Sequence, residues 1–380
     1  MSWDSIFPAV GIWKVQRDEF HLDSALLRMR VSATIGAKTF PPLREAAFVP
    51  ATKLGRLELA FCSLTATEGD MICRYLLRAH RLRSVLIESL KAPNAVVKKL
   101  VRCIRKLPHL REFDAPGISI YRRPHEEDDI NDSLELLQKP LEVFVLHDGI
   151  TASAVAKVCA CKTLRKFELR YCFSLPRNPR PLPGLAGHTQ LTTLDVCDNN
   201  FDDKQLCIVV KWASTAPALQ CLFIGGNFMQ TKAAKAVASL LGETKTLRLL
   251  EMAQCGLRSR PLSIVADAVR DNSALATLIM NNNYFGVPEL ETVFEAMASN
   301  RSITHLQLWH DYPGWKDLEP AMGKPVLTLL RKNHRLVRLD GFESLFRANP
   351  GLGRMLEENG SSQDDEDKAA CKAYIPLKGE

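Results

Sequence analysis

No stretch of this 380-residue chain approaches the ~18 consecutive apolar residues of a membrane-crossing helix, so no transmembrane span is expected. The opening MSWDSIFPAVGIW lacks the basic leader and apolar run of a secretory signal, and Ser2 excludes N-myristoylation. Cysteines number 11, an odd count, and their spacings do not form the staples of a small secreted domain. A reducing, cytoplasmic setting is therefore expected. Aromatic residues make up only 7% of the chain and do not interleave with its basic segments, so no nucleic-acid partner is expected.

Catalytic signatures are missing too. IGAKT near Gly36 lacks the upstream glycine of a phosphate-binding loop. Cys159-Ala-Cys161 has no further metal ligands at suitable spacing and reads as a buried structural pair. His305 and His310, with Asp311 beside them, lie on one strand segment, where residues five apart face opposite sides. No serine, histidine and acid set stands out. The expectation is a chain without catalytic, cofactor or metal sites.

What the sequence does have is a period. Leucine opens a segment at Leu54, Leu82 and Leu110, each 28 positions after the last, and the phase returns at Leu191, Leu219, Leu247, Leu275 and Ile303. Number each opening residue zero. Apolar residues recur at offsets three, five and ten, as in Leu194, Val196 and Phe201, with Asn199 at offset eight. Offsets three and five share one face of a strand, and a small polar residue at eight can satisfy backbone groups where the strand bends away. The second half of each unit has helical spacing, as in Ala233, Ala236, Val237, Leu240 and Leu241.

This pattern resembles the leucine-rich repeat L-x-x-L-x-L-x-x-N/C-x-L, and its length resembles the ribonuclease-inhibitor-like subclass. The resemblance implies an α/β solenoid, a horseshoe with a parallel concave β-sheet and convex helices. Residues 1–53 read as an N-terminal cap with a degenerate turn (Leu26, Met29, Val31 and Thr34 in phase with Leu54), 54–346 as about eleven turns, and 347–380 as a C-terminal cap and polar tail. Irregularities mark particular turns. Turn three, from Leu110 to Leu141, and turn ten, from Ile303 to Leu336, exceed the period, and turn four, from Leu141 to Leu164, falls short of it. Leu90, Ile118 and Gly149 interrupt the polar position.

Function follows from surfaces. Outward strand positions (offsets two, four, six and seven) carry eleven acids and four bases, a net −7 on a chain of net +7, which favours a basic partner. The convex side of turn two carries Lys98, Lys99, Arg102, Arg105 and Lys106, a solvated ridge or a contact with an acidic surface. Turns seven, nine and ten have no outward charge and place Phe223, Ile279, His305 and Trp309 there, beside the insertion that holds Tyr312, Pro313 and Trp315. That insertion either extends the patch or folds over it.

The expected function is a non-catalytic protein-interaction scaffold. Phe223, Ile279, His305, Trp309 and Trp315 form its aromatic and apolar anchors, and Asp195, Glu251 and Asp340 supply charge. Alternatives are regulation of an enzyme, as by the Ran-type GTPase-activating proteins of the same subclass, or a bacterial effector or ubiquitin-ligase substrate adaptor.

Overall fold

Offsets three and five of each turn are buried because successive turns cover one another's apolar side chains. In the computed structural model, Leu57, Leu59, Val85, Ile87, Leu194, Val196, Leu222, Ile224, Leu250 and Met252 all lie in the core. The structure describes residues 50–60, 62–88, 90–116, 139–147, 159–171, 187–311 and 314–361, together with the backbone of two strands at 13–17 and 27–32. Ile118, Gly149, Cys172, Asp148, Tyr312 and Pro313 lie outside the described residues, as do most of the N-terminal cap and the polar tail. The chain divides into two compact units, whose described residues run to Tyr171 and from Gly187.

The first unit holds β1 (Trp13–Arg17), β2 (Leu27–Ser32), β3 (Leu54–Ala60), β4 (Ser84–Glu88), β5 (Glu112–Ala115), β6 (Val143–His147) and β7 (Lys166–Arg170). Strand β1 is antiparallel to β2, a pairing the repeat does not announce, and β2 to β7 are parallel. Helix α1 (Ala66–Leu76) starts at a capping box in which Thr65 accepts from the Glu68 N–H and Glu68 accepts from the Thr65 N–H. Helix α2 (Asn94–Arg105) follows.

The second unit repeats strand and helix in strict alternation. It runs β8 (Thr193–Asp195), α3 (Asp203–Ala213), β9 (Cys221–Phe223), α4 (Thr231–Glu243), β10 (Leu249–Glu251), α5 (Ser259–Asp271), β11 (Thr277–Ile279), α6 (Val287–Ser299) and β12 (His305–Gln307). Then come α7 (Trp315–Leu318), α8 (Gly323–Lys332), β13 (Arg338–Asp340), α9 (Glu343–Ala348) and α10 (Pro350–Ser361). All six strands are parallel. Helix α4 has no side-chain cap of its own. The Asp203 carboxylate of α3 supplies one across the turn, accepting from the N–H groups of Gln230, Lys232 and Ala233.

Register is independent of turn length. Thr277 pairs with His305 across a turn of regular length and His305 with Arg338 across the longer turn ten, yet each pair stands at offset two. Glu112 pairs with Val143 and Val143 with Lys166 in the same way, across the long and short turns. There Phe113, Phe144 and Phe167 stack at offset three, with centroids 5.8 and 6.0 Å apart.

Two polar ladders hold this phase in the second unit. The first occupies offset eight. Asn227 donates to the carbonyls of Val196 (3.0 Å) and Ile224 (2.9 Å) and accepts from the Phe201 N–H (3.0 Å). Asn283 donates to Met252 (2.8 Å) and Met280 (2.9 Å) and accepts from the Cys255 and Leu257 N–H groups. Where Leu90 takes the position, backbone bonds replace the side chain: Lys91 N–H donates to Cys62 (2.9 Å) and Leu64 N–H to Lys91 (2.8 Å).

The second ladder, which the repeat pattern does not include, stands three positions before each of the last three opening residues. Asn272, Asn300 and Asn333 each accept from the N–H of Leu275, Ile303 and Leu336 and donate to carbonyls of the preceding turn. Its signal in the sequence is Asn at a fixed distance before Leu or Ile.

Removing a rung strands several buried groups at once, each costing about 1–3 kcal/mol. Asn283→Ala is expected to destabilise the fold by more than ~2 kcal/mol, read as a lowered urea midpoint. A loss below ~0.5 kcal/mol would show that the ladder is not what fixes the phase.

Candidate functional site

The strand face turned away from the helices, here the open face, is where the sequence placed both charge and aromatics. In the first unit two groups of these charges satisfy one another. Arg56 donates to Glu58 (2.8 Å), Ser84 (3.3 Å) and Glu112 (3.4 Å), spanning three turns. Glu168 lies 2.7 Å from His147, 3.0 Å from Lys166 and 3.4 Å from Arg170. Burial raises the Glu168 carboxyl, and the His147 hydrogen bond together with Lys166 and Arg170 outweighs it, bringing the group down to about 2. Asp114 is pushed up, chiefly by burial.

In the second unit the three acids expected to meet a partner are engaged within the chain. Asp195 is buried and accepts from the Cys197 N–H at 3.0 Å. Glu251 accepts from the N–H groups of Gly225 and Ala253, both at 2.9 Å, and from the Cys197 thiol at 3.2 Å; burial raises its pKa. A Cβ at position 225 would lie 2.5 Å from a Glu251 carboxylate oxygen, so only glycine admits this contact. Both carboxylate oxygens of Asp340 lie 2.9 Å from the Arg338 Nε, which donates to them. Counting charges by offset overstated the free negative face because residues at offsets two and four pair with each other.

Three expected anchors are buried. Ile279 and His305 are covered by the neighbouring strands; His305 contacts the Thr304 hydroxyl at 2.9 Å, and burial, then Arg338, lower its pKa. Trp315 is not an outward residue of an open loop. It begins α7 and packs against Phe342 (5.4 Å) and His310 (5.5 Å), and its indole N–H donates to the Gly341 carbonyl at 2.7 Å. A buried indole needs such a partner. Phe223 is half-buried, while Trp309 keeps 43% of its surface exposed.

The structure adds two aromatics that the pattern had hidden. Phe228 is 52% and Tyr284 54% exposed. Both stand at offset nine, between the buried Asn at eight and the buried apolar residue at ten. The alternation in Asn-Phe-Met and Asn-Tyr-Phe could have revealed them.

Tyr284 adopts a left-handed backbone (φ 55°), where turns six and eight place Asn200 and Gly256. Asn and Gly enter that region cheaply and a bulky residue does not. The strain is held by His310, whose Nε2 accepts the Tyr284 N–H and whose ring lies 4.8 Å from the tyrosine ring. Burial lowers the pKa of His310 against the opposing pull of Asp311, in keeping with a neutral ring whose Nε2 accepts. A chain of ring contacts thus runs Tyr284–His310–Trp315–Phe342–Phe294, from surface to core. In the first unit Tyr171 has a similar left-handed backbone and exposed ring, edge-on to His147 at 6.4 Å.

On the outer side of the first unit, α2 buries Val97, Leu100, Val101 and Ile104 as the spacing predicts. Of its four bases, Lys99 is paired with Asp70 at 2.6 Å. Cys159 is buried, and the Cys161 thiol donates to the Lys139 carbonyl at 3.1 Å. No group of three or more His, Cys, Asp or Glu among the described residues is placed to hold a metal ion. No described helix is long and apolar enough to cross a membrane.

Repeated strand–loop–helix turns, parallel strands in register and an asparagine ladder define a leucine-rich-repeat fold of the α/β class. No family model matches the chain, and no curated protein matches its sequence. Among solved structures it is similar to the leucine-rich repeat-containing protein LegL7 from Legionella pneumophila, at 11% identity and TM-score 0.43, over 83% of this chain and 92% of that one. It is also similar to TLR13 in its complex with ssRNA13, at 12% identity and TM-score 0.37, over 68% of this chain but only 33% of that one. Actin-binding site 2 of leiomodin-1 matches at 16% identity and TM-score 0.36, over 45% and 96%.

Two measurements test this geometry. Trp315→Ala removes a buried ring and its hydrogen bond and should cost about 3–5 kcal/mol, whereas Trp309→Ala should stay within ~0.5 kcal/mol, both read by urea denaturation. Glu168 stabilises the fold above its unfolded value of ~4.3, and that contribution disappears as pH falls toward about 2. Glu168→Gln should therefore flatten the acid limb of stability against pH between ~4 and ~2; an unchanged limb would remove the network from the account.

Proposed function

We propose that the chain is a non-catalytic scaffold that binds a protein partner through the aromatic cluster of its second unit. Trp309 and Tyr284 form its centre, with Phe228 and Phe223 alongside. The observation that carries this reading is Tyr284, a bulky exposed residue kept in a left-handed backbone where other turns use Asn and Gly. Backbone strain of this sort costs about 1–3 kcal/mol and gathers at functional positions. The core does not need the ring, whereas exposed aromatics on a rigid support serve as interface hot spots. Recognition rests on these rings, since Asp195, Glu251 and Asp340 are occupied by the fold.

The turns are assigned to the ribonuclease-inhibitor-like subclass, which the constant strand register and the helix in each turn from β8 to β12 support. A cytoplasmic location is supported by the nine described cysteines, all of them free thiols.

The test compares the full chain with Trp309→Ala/Tyr284→Ala as baits. A partner that binds the parent protein directly should bind the double variant at least about tenfold more weakly, with the melting curve retained. Equal binding by a folded variant would remove the cluster from the interface.

A further inference from the structure

The loops that lead into β3 to β7 of the first unit form a rim at the N-terminal end of its sheet. Arg81 and Arg83 lie in one loop, Lys106 and Arg111 in the next, and Lys162 and Arg165 in the last described. Among the described residues of these loops there are nine lysines and arginines against one acid, Glu142. Arg81, Arg83, Lys106, Lys162 and Arg165 are exposed. The strands beneath stand ~4.8 Å apart, so the cations of successive loops lie closely spaced along one line.

The repeat does not require this charge. The six corresponding loops of the second unit hold only four bases; Arg248 and Arg301 among them donate to backbone carbonyls, as Arg111 of the rim does to Pro140 at 3.0 Å. Helix C-termini do not require it either, since α4 and α6 end without a basic residue in the last turn. Among the described rim residues there is no Phe, Tyr or Trp on which a base could stack, but Leu77, 46% exposed beside Arg78, offers an apolar side chain to an interface. We propose that this rim binds the surface of an anionic lipid bilayer, with the arginines and lysines against the headgroups and Leu77 entering between them. A row of loops at one end of a sheet can meet a flat surface, whereas the open strand face is reserved for the partner proposed above.

The experiment is sedimentation of the full-length protein with phosphatidylcholine vesicles, with and without about 30% phosphatidylserine. Binding should need phosphatidylserine and fall steeply as salt rises, because exposed charges are screened within ~10 Å at 0.1 M. Each rim cation near the surface contributes about fivefold in affinity. The triple variant Arg81→Glu/Arg83→Glu/Lys106→Glu should therefore lose at least a hundredfold, while Lys232→Glu/Lys235→Glu on the exposed side of α4 should bind as the parent does. Thermal melts establish that each variant is folded. Equal binding to neutral vesicles, no binding to either, or full binding by the folded triple variant would overturn the proposal. So would tighter binding of a single-stranded RNA than of the anionic vesicles at the same salt, which would assign the rim to nucleic acid.

Discussion

Everything in the second unit depends on one kind of contact, a side-chain carboxamide that bonds backbone groups of two turns at once. A carboxamide can both donate and accept, so one Asn satisfies an N–H on one side and carbonyls on the other. Buried backbone groups must be paired, and the ends of such short strands leave many of them unpaired. Asn227 and Asn283 pair them where the strands end, and Asn272, Asn300 and Asn333 pair them where the helices end. With both junctions fixed, apolar side chains at offsets three and five have no choice but to face the next turn.

The open face is what remains once these obligations are met, and most of it is committed inward. Carboxylates there cap backbone N–H groups or pair with arginines in adjacent rows, so the face is less acidic to a visitor than its composition suggests. What stays available is aromatic. The insertion in turn ten acts as a brace: Trp315 fills the core and backs His310, which in turn holds Tyr284 at the surface. Trp309 is accommodated because Gly341, at φ 107°, brings the next turn within van der Waals contact of its backbone.

Much of the fold was legible because it depends on spacing. Strand phase, the buried stripe of α2 and the polar position at offset eight follow from period and residue type alone. The candidate site was less legible because exposure depends on neighbours. Trp309 and Trp315 look alike in sequence, yet one lies in solvent and the other finds a carbonyl in the core. Glu251 looks like a surface acid until Gly225 of the preceding turn brings its backbone N–H within reach. Tyr284 and Phe228 are hidden because the repeat reserves no role for offset nine. The second asparagine ladder precedes the opening leucine and so falls outside the pattern that defines the repeat.

The independence of register from turn length has an evolutionary consequence. Since Asn272, Asn300 and Asn333 clamp the starts of β11, β12 and β13, an insertion between them does not propagate to the neighbouring strands, as the pairing of His305 with Arg338 across the lengthened turn ten demonstrates. Such a frame can acquire a new loop in any single turn while the remaining turns keep their neighbours. Specificity can then be exchanged one turn at a time, with stability and recognition held in separate stretches of the same repeat unit.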